Sequence, residues 1–459
     1  MNFTLSLLGA VMFSLTMTGC KPSAYQPTIV QLTIGNYNHD LDNNDNFSPD
    51  GKWLVYDTRT GIGGIGGSPS VERVNIETGK IEELFVNKEN QPWGPGAGAV
   101  SYHPSENRVI FIHGLPFCSE KNPYQQWKRT GAMVVDTRPN VALYMDARDV
   151  TLPFTPGALK GGTHRHEWSK DGKWVGYTYN DAFMKALEDS SGEKLNLRTI
   201  GVSTQLHPVK VDKDGEGDNI SGEWYSVLVV RVVPNPVPGS DEISNAASDS
   251  WVGSGSYLTK DGRKQVARAF LGKVISKNNL PVDELYVVDI PDSINRPGEF
   301  GPLEGTPTTF PMPPRGTVQR RLTHTAETTY PGCSGVVRSS SDGKWIAYLS
   351  GDTNGKSQVF LISPEGGSSR QVTAHPTGVQ SGVRWSPDNG SICYQSENSI
   401  LICNIADSPF ETRYRRITPV SKEELSNIVW SPDGKTIAFN RPVKGTDGQV
   451  WKQIFTVKP

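Results

Sequence analysis

A short phrase recurs along the chain and constrains the fold more than any other feature of the sequence. Each copy combines an apolar or aromatic residue, Ser-Pro-Asp-Gly-Lys or a close variant, and a hydrophobic run. The copies are NFSPDGKWLVYDTR from Asn46, EWSKDGKWVGYTYN from Glu167, RSSSDGKWIAYLSG from Arg338, RWSPDNGSICYQSE from Arg384 and VWSPDGKTIAFNRP from Val429, with a degraded copy, SYHPSENRVIFIHG, from Ser101. The last three full copies lie about 45 residues apart, the length of a four-stranded propeller blade.

Every copy predicts the same local structure. The Asp-Gly pair supplies the left-handed backbone of a tight hairpin, and strand-like runs such as QVFLISPEGG and RQVTAHP follow it. The chain is therefore predicted to be all-β, a seven-bladed β-propeller of four-stranded antiparallel blades. Six blades carry the phrase or its remnant. The seventh is assigned to a divergent blade with insertions over about residues 222–326, where we expect no Asp-Gly phrase.

The last copy of the phrase is followed by too few strands to complete a blade. The segment from Thr28 to Gly35, TIVQLTIG, resembles the fourth strand of the other blades. We expect it to pair with the last blade and close the ring, because closure removes exposed sheet edges. An open solenoid or two half-domains are the alternatives.

The N-terminal segment predicts export. Residues 1–20, MNFTLSLLGAVMFSLTMTGC, contain an apolar stretch that ends in small residues before Cys20. This resembles a lipoprotein-type signal peptide, with Cys20 as the lipidated residue and a plain secretory signal as the alternative. Residues 21–459 are then a single propeller domain. We expect it in the periplasm or at the outer membrane, in contact with the membrane through the lipid anchor only.

Charge and cysteine usage narrow the classes of partner. With 46 Lys and Arg against 48 Asp and Glu, the chain has a net charge of −2 and no dense basic run, which argues against nucleic acid. We expect a monomer. The pairing of Cys118, Cys333, Cys393 and Cys403 is left open: Cys393 and Cys403 flank a short turn, but buried free thiols are favoured.

The candidate site residues gather on one predicted face of the ring. The Asp-Gly turns share one face, and the long irregular loops lie on the opposite, loop-bearing face, where binding sites usually sit. A polar, ligand-sized cup is predicted there. Its ligand-binding residues are Asn43, Asp45, Asp57, Asn180, Asp181 and Gln395, and its candidate catalytic residues are Arg59 and His113.

The stretch GGTHRHEWS places two histidines one residue apart in this cup. On a regular strand His164 and His166 face the same way, roughly 7 Å apart. They then supply two ligands to one divalent metal ion of the Mn or Ca type, with Asp45 or another carboxylate as the third. The alternative is that both imidazoles only form hydrogen bonds with neighbouring blades.

Longer stretches carry family resemblances. The repeated phrase resembles the TolB-type, WD40-like repeats of bacterial propellers. TPGALKGGTHRHEWS, PNPVPGSDEISNA, WVG and PPRGTVQRRLTHT resemble the uncharacterised enterobacterial YidR-like family over nearly all of the mature chain. More distantly, His164 and His166 are similar to the histidine pair of oligogalacturonide lyases. That resemblance implies a seven-bladed propeller with a metal near its channel, held by histidines and a glutamine; the glutamine is absent from the preceding ALKGGT.

Two functional hypotheses follow. The first is a binding module whose loop-bearing face holds a saccharide, peptide or protein partner. The second is a metal-dependent polysaccharide lyase of the oligogalacturonide lyase type. In the second, a metal at His164 and His166 neutralises a uronate carboxylate, and Arg59 or His113 abstracts the adjacent proton.

Overall fold

A computed structural model describes residues 28–60, 64–406 and 413–459. The leader, with the expected lipid attachment at Cys20, lies outside these residues. Within the described ranges the strands form seven antiparallel blades, and the first strand in each blade is the innermost. The prediction of a seven-bladed β-propeller is therefore confirmed.

The strands of the blades are as follows. Blade 1 holds β2 (Asn38–Asp40), β3 (Trp53–Arg59), β4 (Ser70–Asn75) and β5 (Ile81–Val86). Blade 2 holds β6 (Ala97–Tyr102), β7 (Arg108–Gly114), β8 (Arg129–Val135) and β9 (Leu143–Tyr144). Blade 3 holds β12 (Gly161–Trp168), β13 (Trp174–Asp181), β14 (Thr199–Thr204) and β15 (Tyr225–Leu228). Blade 4 holds β16 (Ala246–Trp251), β17 (Tyr257–Leu258), β18 (Lys264–Ile275), β19 (Pro281–Ile290) and β20 (Val318–Arg321).

The remaining elements complete the ring. Blade 5 holds β21 (Cys333–Ser339), β22 (Ile346–Gly351), β23 (Ser357–Ile362) and β24 (Arg370–Gln371). Blade 6 holds β25 (Ser381–Trp385), β26 (Ser391–Ser396), β27 (Ser399–Asn404) and β28 (Tyr414–Arg416). Blade 7 holds β29 (Ser426–Trp430), β30 (Ile437–Lys444), β31 (Val450–Val457) and β1 (Ile29–Gln31). Outside the blades are a parallel pair, β10 (Ala147–Arg148) and β11 (Ala158–Leu159), the helix α1 (Ala182–Ser191) and a 3-10 turn (Thr325–Glu327).

The recurring phrase forms the same turn wherever it is intact. In blade 3 the hydroxyl of Ser169 donates to the Asp171 carboxylate at 2.6 Å and accepts from the Trp174 amide at 3.0 Å. Gly172 has a φ of 72°, in the left-handed region that glycine adopts without strain. Ser48 and Ser431 make the same contact with the aspartate two residues on. The predicted turn chemistry is confirmed.

The fourth blade begins later than predicted. The run YSVL, assigned to the divergent blade, forms β15 and pairs with β14, so it completes blade 3. Blade 4 instead starts at β16. It carries its own version of the phrase, Thr259-Lys-Asp-Gly, between β17 and β18. This copy was missed because Thr replaces Ser, although the Thr259 hydroxyl donates to Asp261 in the same way.

The ring closes through the N-terminal strand. β1 pairs with β31 in antiparallel register, Ile29 opposite Val457 and Gln31 opposite Phe455. One further bond, from the Leu32 amide to the Ile454 carbonyl at 2.8 Å, extends the pairing. Blade 7 thereby gains its fourth strand and the predicted closure is confirmed. The open alternatives are excluded.

Neighbouring blades are joined by tryptophans at the ends of the inner strands. The indole of Trp251 donates to the Glu167 carbonyl, and that of Trp385 donates to the Arg338 carbonyl, each at 2.9 Å. The side chain thus fills the wedge between two sheets while its N–H satisfies a carbonyl of the preceding blade. Trp385 of the phrase and Trp251 therefore form interblade contacts.

All four cysteines in the described ranges are free thiols. Cys393 lies opposite Ile402, and Cys403 lies opposite Ile392, so the two residues are one position out of register on adjacent strands. Their side chains therefore point to opposite faces of blade 6 and pack in different core clusters. Among the described residues, no helix has the length and apolar character needed to cross a membrane.

Candidate functional site

The inner strands share a β-bulge that determines where their side chains point. In blades 2, 3, 4, 6 and 7 two inner-strand residues lie opposite one residue of the second strand. The first bulge residue has a positive φ even where it is not glycine, as at Ala99, Arg165, Ser248 and Asn427. The extra residue of such a bulge shifts the alternation of side chains along the inner strand by one position beyond it.

The bulge in β12 separates the two histidines. The imidazole of His166 lies 2.9 Å from the Thr163 hydroxyl and packs on Tyr177, with ring centroids 6.0 Å apart. His164 instead contacts the hydroxyl of Thr178. Since Tyr177 and Thr178 are consecutive residues of β13, they point to opposite faces of blade 3, and so do the two imidazoles. The predicted common face is wrong, because Arg165 and His166 form the bulge.

This geometry does not suit a metal held by the pair. His166 is fully buried between blades 2 and 3, where its Nε2 lies 4.0 Å from the Asp146 carboxylate. Burial, with a further contribution from Arg129, lowers its pKa to about 3. Across residues 28–60, 64–406 and 413–459 no group of three or more His, Cys, Asp or Glu side chains could hold a metal ion. The two histidines therefore do not fit the expected site.

Asn43 and Asp45 bind other parts of the protein. The buried Asn43 amide donates to the carbonyls of Ala99 and His166 at 2.7 and 2.8 Å, which ties blades 1, 2 and 3 together. Asp45 forms an ion pair with Lys170 from blade 3, and its oxygen is also near Asn44. None of the described contacts of Asp45 is with either imidazole, so Asp45 is not placed as a third metal ligand.

Asp57 and Arg59 lie close together, but they form an ion pair with each other. Arg59 Nε lies 2.9 Å from the Asp57 carboxylate, and the same guanidinium pairs with Asp42. Asp57 also accepts a hydrogen bond from the Ala99 amide. Burial raises the pKa of Asp57, and the nearby charges of Asp40 and Asp42 act in the same direction while Arg59 opposes them. The Arg59 guanidinium is thus paired with carboxylates and is not placed to act as a base.

His113 lies in an aromatic cluster away from the axial channel. Its ring packs against Phe85, Tyr144 and Phe111, with centroids 5.3, 6.0 and 6.4 Å away. Only 6% of the residue is exposed. Burial lowers its pKa to about 4, so the ring is neutral at neutral pH. The predicted role as a catalytic base is not supported by this position.

The buried His113 predicts an acid-labile contribution to stability. In the unfolded chain its imidazole takes up a proton below about pH 6.5, whereas in the folded protein it does so near pH 4. The contribution of the neutral imidazole to the free energy of unfolding is therefore present above pH 6.5. It is lost as the pH falls towards 4, by about 3 kcal/mol at most. Urea unfolding at both ends of this pH window should show a smaller fall in the free energy of unfolding for His113→Phe than for the wild type. The exposed His207→Phe is the control, and an equal loss in His113→Phe would contradict the assignment.

Asn180, Asp181 and Gln395 have different environments. Asp181 begins α1: its carboxylate accepts from the amides of Phe183 and Met184 at 2.9 and 3.0 Å. It also pairs with the buried Lys160 at 2.8 Å. Gln395 accepts a hydrogen bond from Ser381 within blade 6. Asn180 contacts a guanidinium at the loop-bearing face, because its carbonyl oxygen accepts from Arg198 at 3.3 Å.

Around Asn180 lies a group of residues that we call the loop-face basic cluster. It is supplied by the inner strand of blade 3, the adjoining ends of β13 and β14, and the long loop before β8. Its members are Tyr124, Gln126, Arg129, His164, Asn180 and Arg198. Arg129 Nη1 donates to the Tyr124 hydroxyl at 2.9 Å, and Arg198 Nη2 reaches Gln126 at 3.5 Å.

The cluster has an excess of positive charge. Arg129 is 3% exposed, yet its Nε and Nη2 have no hydrogen-bond partner among the described residues. In the same ranges no carboxylate lies within 4.0 Å of Arg129 or Arg198. Burial lowers the pKa of His164 well below its ordinary value, and Arg129, Arg198 and Arg165 add to the effect. His164 is therefore a neutral imidazole beside two guanidinium groups with no carboxylate within ion-pair distance in the described ranges, although the charge of Asp249 acts on Arg198 from farther away.

Sequence reasoning found His164 and Asn180 but missed both arginines. Arg129 and Arg198 are 69 positions apart and neither belongs to the recurring phrase. The available signal was that each stands at the end of a long loop that enters a third strand from the predicted binding face. Two guanidiniums at such a point can bind a carboxylate in bidentate fashion, and a neutral imidazole beside them can accept a proton.

Comparison with known proteins places this region in a recognised family. Residues 96–218 match a family model described as a protein of unknown function, DUF3748. This range includes the whole loop-face basic cluster. The uncharacterised protein YidR of Escherichia coli strain K12 is 37% identical over 437 residues, covering 94% of this chain and 98% of that protein.

Two solved structures share the fold. An oligogalacturonate lyase in complex with manganese has a TM-score of 0.53 at 11% identity and covers 95% of each chain. An oligogalacturonate lyase from Vibrio parahaemolyticus has a TM-score of 0.51 at 11% identity, covering 95% of this chain and 94% of that one. At this identity the likeness concerns the propeller architecture.

Proposed function

The chain belongs to the YidR family, and on that premise we propose that it binds an acidic saccharide at the loop-face basic cluster. The observation that carries the proposal is the buried guanidinium of Arg129, which has two unpartnered nitrogens beside Arg198 and no carboxylate within ion-pair distance in the described ranges. A buried cation without a partner is costly unless a ligand supplies the anion. A uronate carboxylate has the planar geometry that matches a guanidinium.

The surroundings of the two arginines suit a sugar. Tyr124 places a ring 5.9 Å from the Arg129 guanidinium, and Asn180 and Gln126 provide amide groups for hydroxyls. Saccharide sites combine an apolar ring face with a few directed polar groups of this kind. The likeness of the fold to oligogalacturonate lyases supports a uronate over a neutral sugar. A peptide or protein partner is the other occupant expected for this face, and its carboxylates would meet the same two guanidiniums.

A second candidate is a uronate lyase, favoured by the neutral imidazole of His164 at the same cluster. Arginine pairing with the uronate carboxylate makes the adjacent C5–H bond more acidic. His164 would accept that proton as the C5–C4 double bond forms, the C4–O bond breaks, and the leaving oxygen takes a proton from water. This proposal replaces Arg59 and His113 as the base, and no step in it passes through a metal.

Calorimetric titration with oligogalacturonides tests binding, with neutral malto-oligosaccharides of equal length as the control ligand. We expect heat of binding for the acidic series only. Ultraviolet absorbance of the unsaturated product then tests elimination, in chelator and with Mn²⁺ or Ca²⁺ added. Activity in chelator that is lost in His164→Gln would support the base role. Activity that strictly requires a metal would contradict it. The absence of acidic binding would reject the proposed function.

Export and lipid anchoring at Cys20 remain predictions from the leader sequence. They are compatible with a binding module that meets saccharides outside the cytoplasm.

A further inference from the structure

A cavity of about 390 Å³ lies on the propeller axis at the face of the Asp-Gly turns, opposite the loop-face basic cluster. All seven blades contribute to its wall through the ends of their inner strands and the turns that follow. The wall includes six aromatic residues, Phe47, Tyr102, Trp168, Trp251, Trp385 and Trp430. A cavity of this volume accommodates a monosaccharide or another ligand of similar size.

Two arginines line the cavity from the same position of the repeat. Arg338 and Arg384 each stand two residues before the serine of their copy of the phrase, in adjacent blades 5 and 6. Arg338 is 5% exposed, and its Nε and Nη2 have no hydrogen-bond partner in the described part of the chain. Arg384 Nε is also unpartnered there, and the guanidinium bonds to the Val383 carbonyl at 3.1 Å.

The carboxylates of the cavity neutralise these arginines only in part. Glu167 is held by Arg268 at 2.9 Å and by the Asn44 amide at 2.8 Å, and it forms a long ion pair of 3.9 Å with Arg338, without a hydrogen bond. Asp45 is paired with Lys170. No acidic group in the described ranges lies within 4.0 Å of Arg384. Burial lowers the pKa of both arginines, and each also experiences the charge of nearby Arg165.

We infer that this cavity is a second binding site, distinct from the loop-face basic cluster. It takes a small organic oxyanion, with its charged group on Arg338 and Arg384 and its carbon skeleton against the tryptophan edges. Two adjacent guanidiniums with free N–H groups match the oxygens of a carboxylate or of a phosphate ester. The aromatic wall supplies apolar contact for a ring. The shared chemistry of these ligands is an oxyanion on a ring of monosaccharide size.

Titration of the full chain with glucuronate and with glucose 1-phosphate separates the two oxyanions, and glucose is the neutral control. Four tryptophans line the cavity, so tryptophan fluorescence is expected to change on binding, and the Arg384 variants show whether the change comes from this site. We expect one of the acidic sugars to bind and glucose not to bind. Arg384→Gln should weaken that binding by at least tenfold.

Arg415→Gln is the matched control, since Arg415 is exposed on the outer strand β28. The melting temperature of each ligand-free variant is measured in parallel. Removal of one of two neighbouring like charges is expected to leave the fold at least as stable. If Arg384→Gln nevertheless unfolds, Arg384→Lys keeps the charge without the planar fork and should still bind less tightly. Failure of both acidic sugars to bind at millimolar concentration, or full binding in an Arg338→Gln, Arg384→Gln double variant, would overturn the inference.

Discussion

Replacing Arg129 with glutamine is expected to weaken oligogalacturonide binding by about 10- to 100-fold. A hydrogen bond to a charged group contributes about 1.5–3 kcal/mol, and about 1.4 kcal/mol corresponds to a factor of ten in affinity. The effect should be large at this residue because its side chain is buried and its Nε and Nη2 have no protein partner in the described ranges. The bound anion is then their principal interaction, and the measurement is calorimetric titration.

Two further variants separate charge from geometry at this position. Arg129→Lys keeps the positive charge but loses the planar fork, so its affinity should fall between those of the wild type and Arg129→Gln. Arg198→Gln removes the half-buried second guanidinium and should weaken binding by a smaller factor. Arg415→Gln, on the exposed β28, should bind like the wild type. Wild-type affinity in an Arg129→Gln, Arg198→Gln double variant would remove the basis of the proposed function.

Replacing Asp181 with alanine is expected to lower the free energy of unfolding by about 4 kcal/mol. Asp181 and Lys160 are 0% and 1% exposed, and their charged atoms are 2.8 Å apart. Removal of one partner of a buried ion pair costs about 3–5 kcal/mol, because the other charge remains without compensation. The substitution also removes the N-cap of α1, a further cost of about 1 kcal/mol that is not strictly additive.

The source of this loss can be identified with a compensating pair of substitutions. In the Lys160→Met, Asp181→Asn double variant no unpaired buried charge remains, and asparagine still caps the helix. Denaturant unfolding should therefore show that this double variant recovers most of the stability lost in Asp181→Ala. A loss below about 1 kcal/mol in Asp181→Ala, together with weaker saccharide binding, would instead restore Asp181 to the ligand-binding role predicted from the sequence.

The fold could be predicted from the sequence because each blade is specified by contacts between residues close in sequence. The Ser-Pro-Asp-Gly phrase sets its own turn through contacts within about five residues, as in Ser169, Asp171 and Trp174. Repetition of that unit then predicts the ring and its closure by residues near Thr28. Where the local signal weakened, at Thr259-Lys-Asp-Gly, the boundaries of blade 4 were misplaced.

The site could be predicted only in part, since it depends on relations that a strand pattern does not encode. A period of two places His164 and His166 on one face, but the bulge at Arg165 and His166 places them on opposite faces. The bulge is hidden in the sequence because its first residue is arginine, not glycine. Arg338 and Arg384 could have been found from the sequence, since they occupy the same repeat position in adjacent blades.

The sequence by itself determined the number of blades, the chemistry of their turns and the way the ring closes, because these features rest on contacts between near neighbours or on repetition. Only the tertiary structure decided which polar side chains are already satisfied by the protein and which are left for a ligand. Asp57, Arg59 and Asp181 have buried partners from the protein. Arg129 has only the Tyr124 hydroxyl, at Nη1, and its Nε and Nη2 have no partner in the described ranges. This difference depends on packing between blades that are distant in sequence.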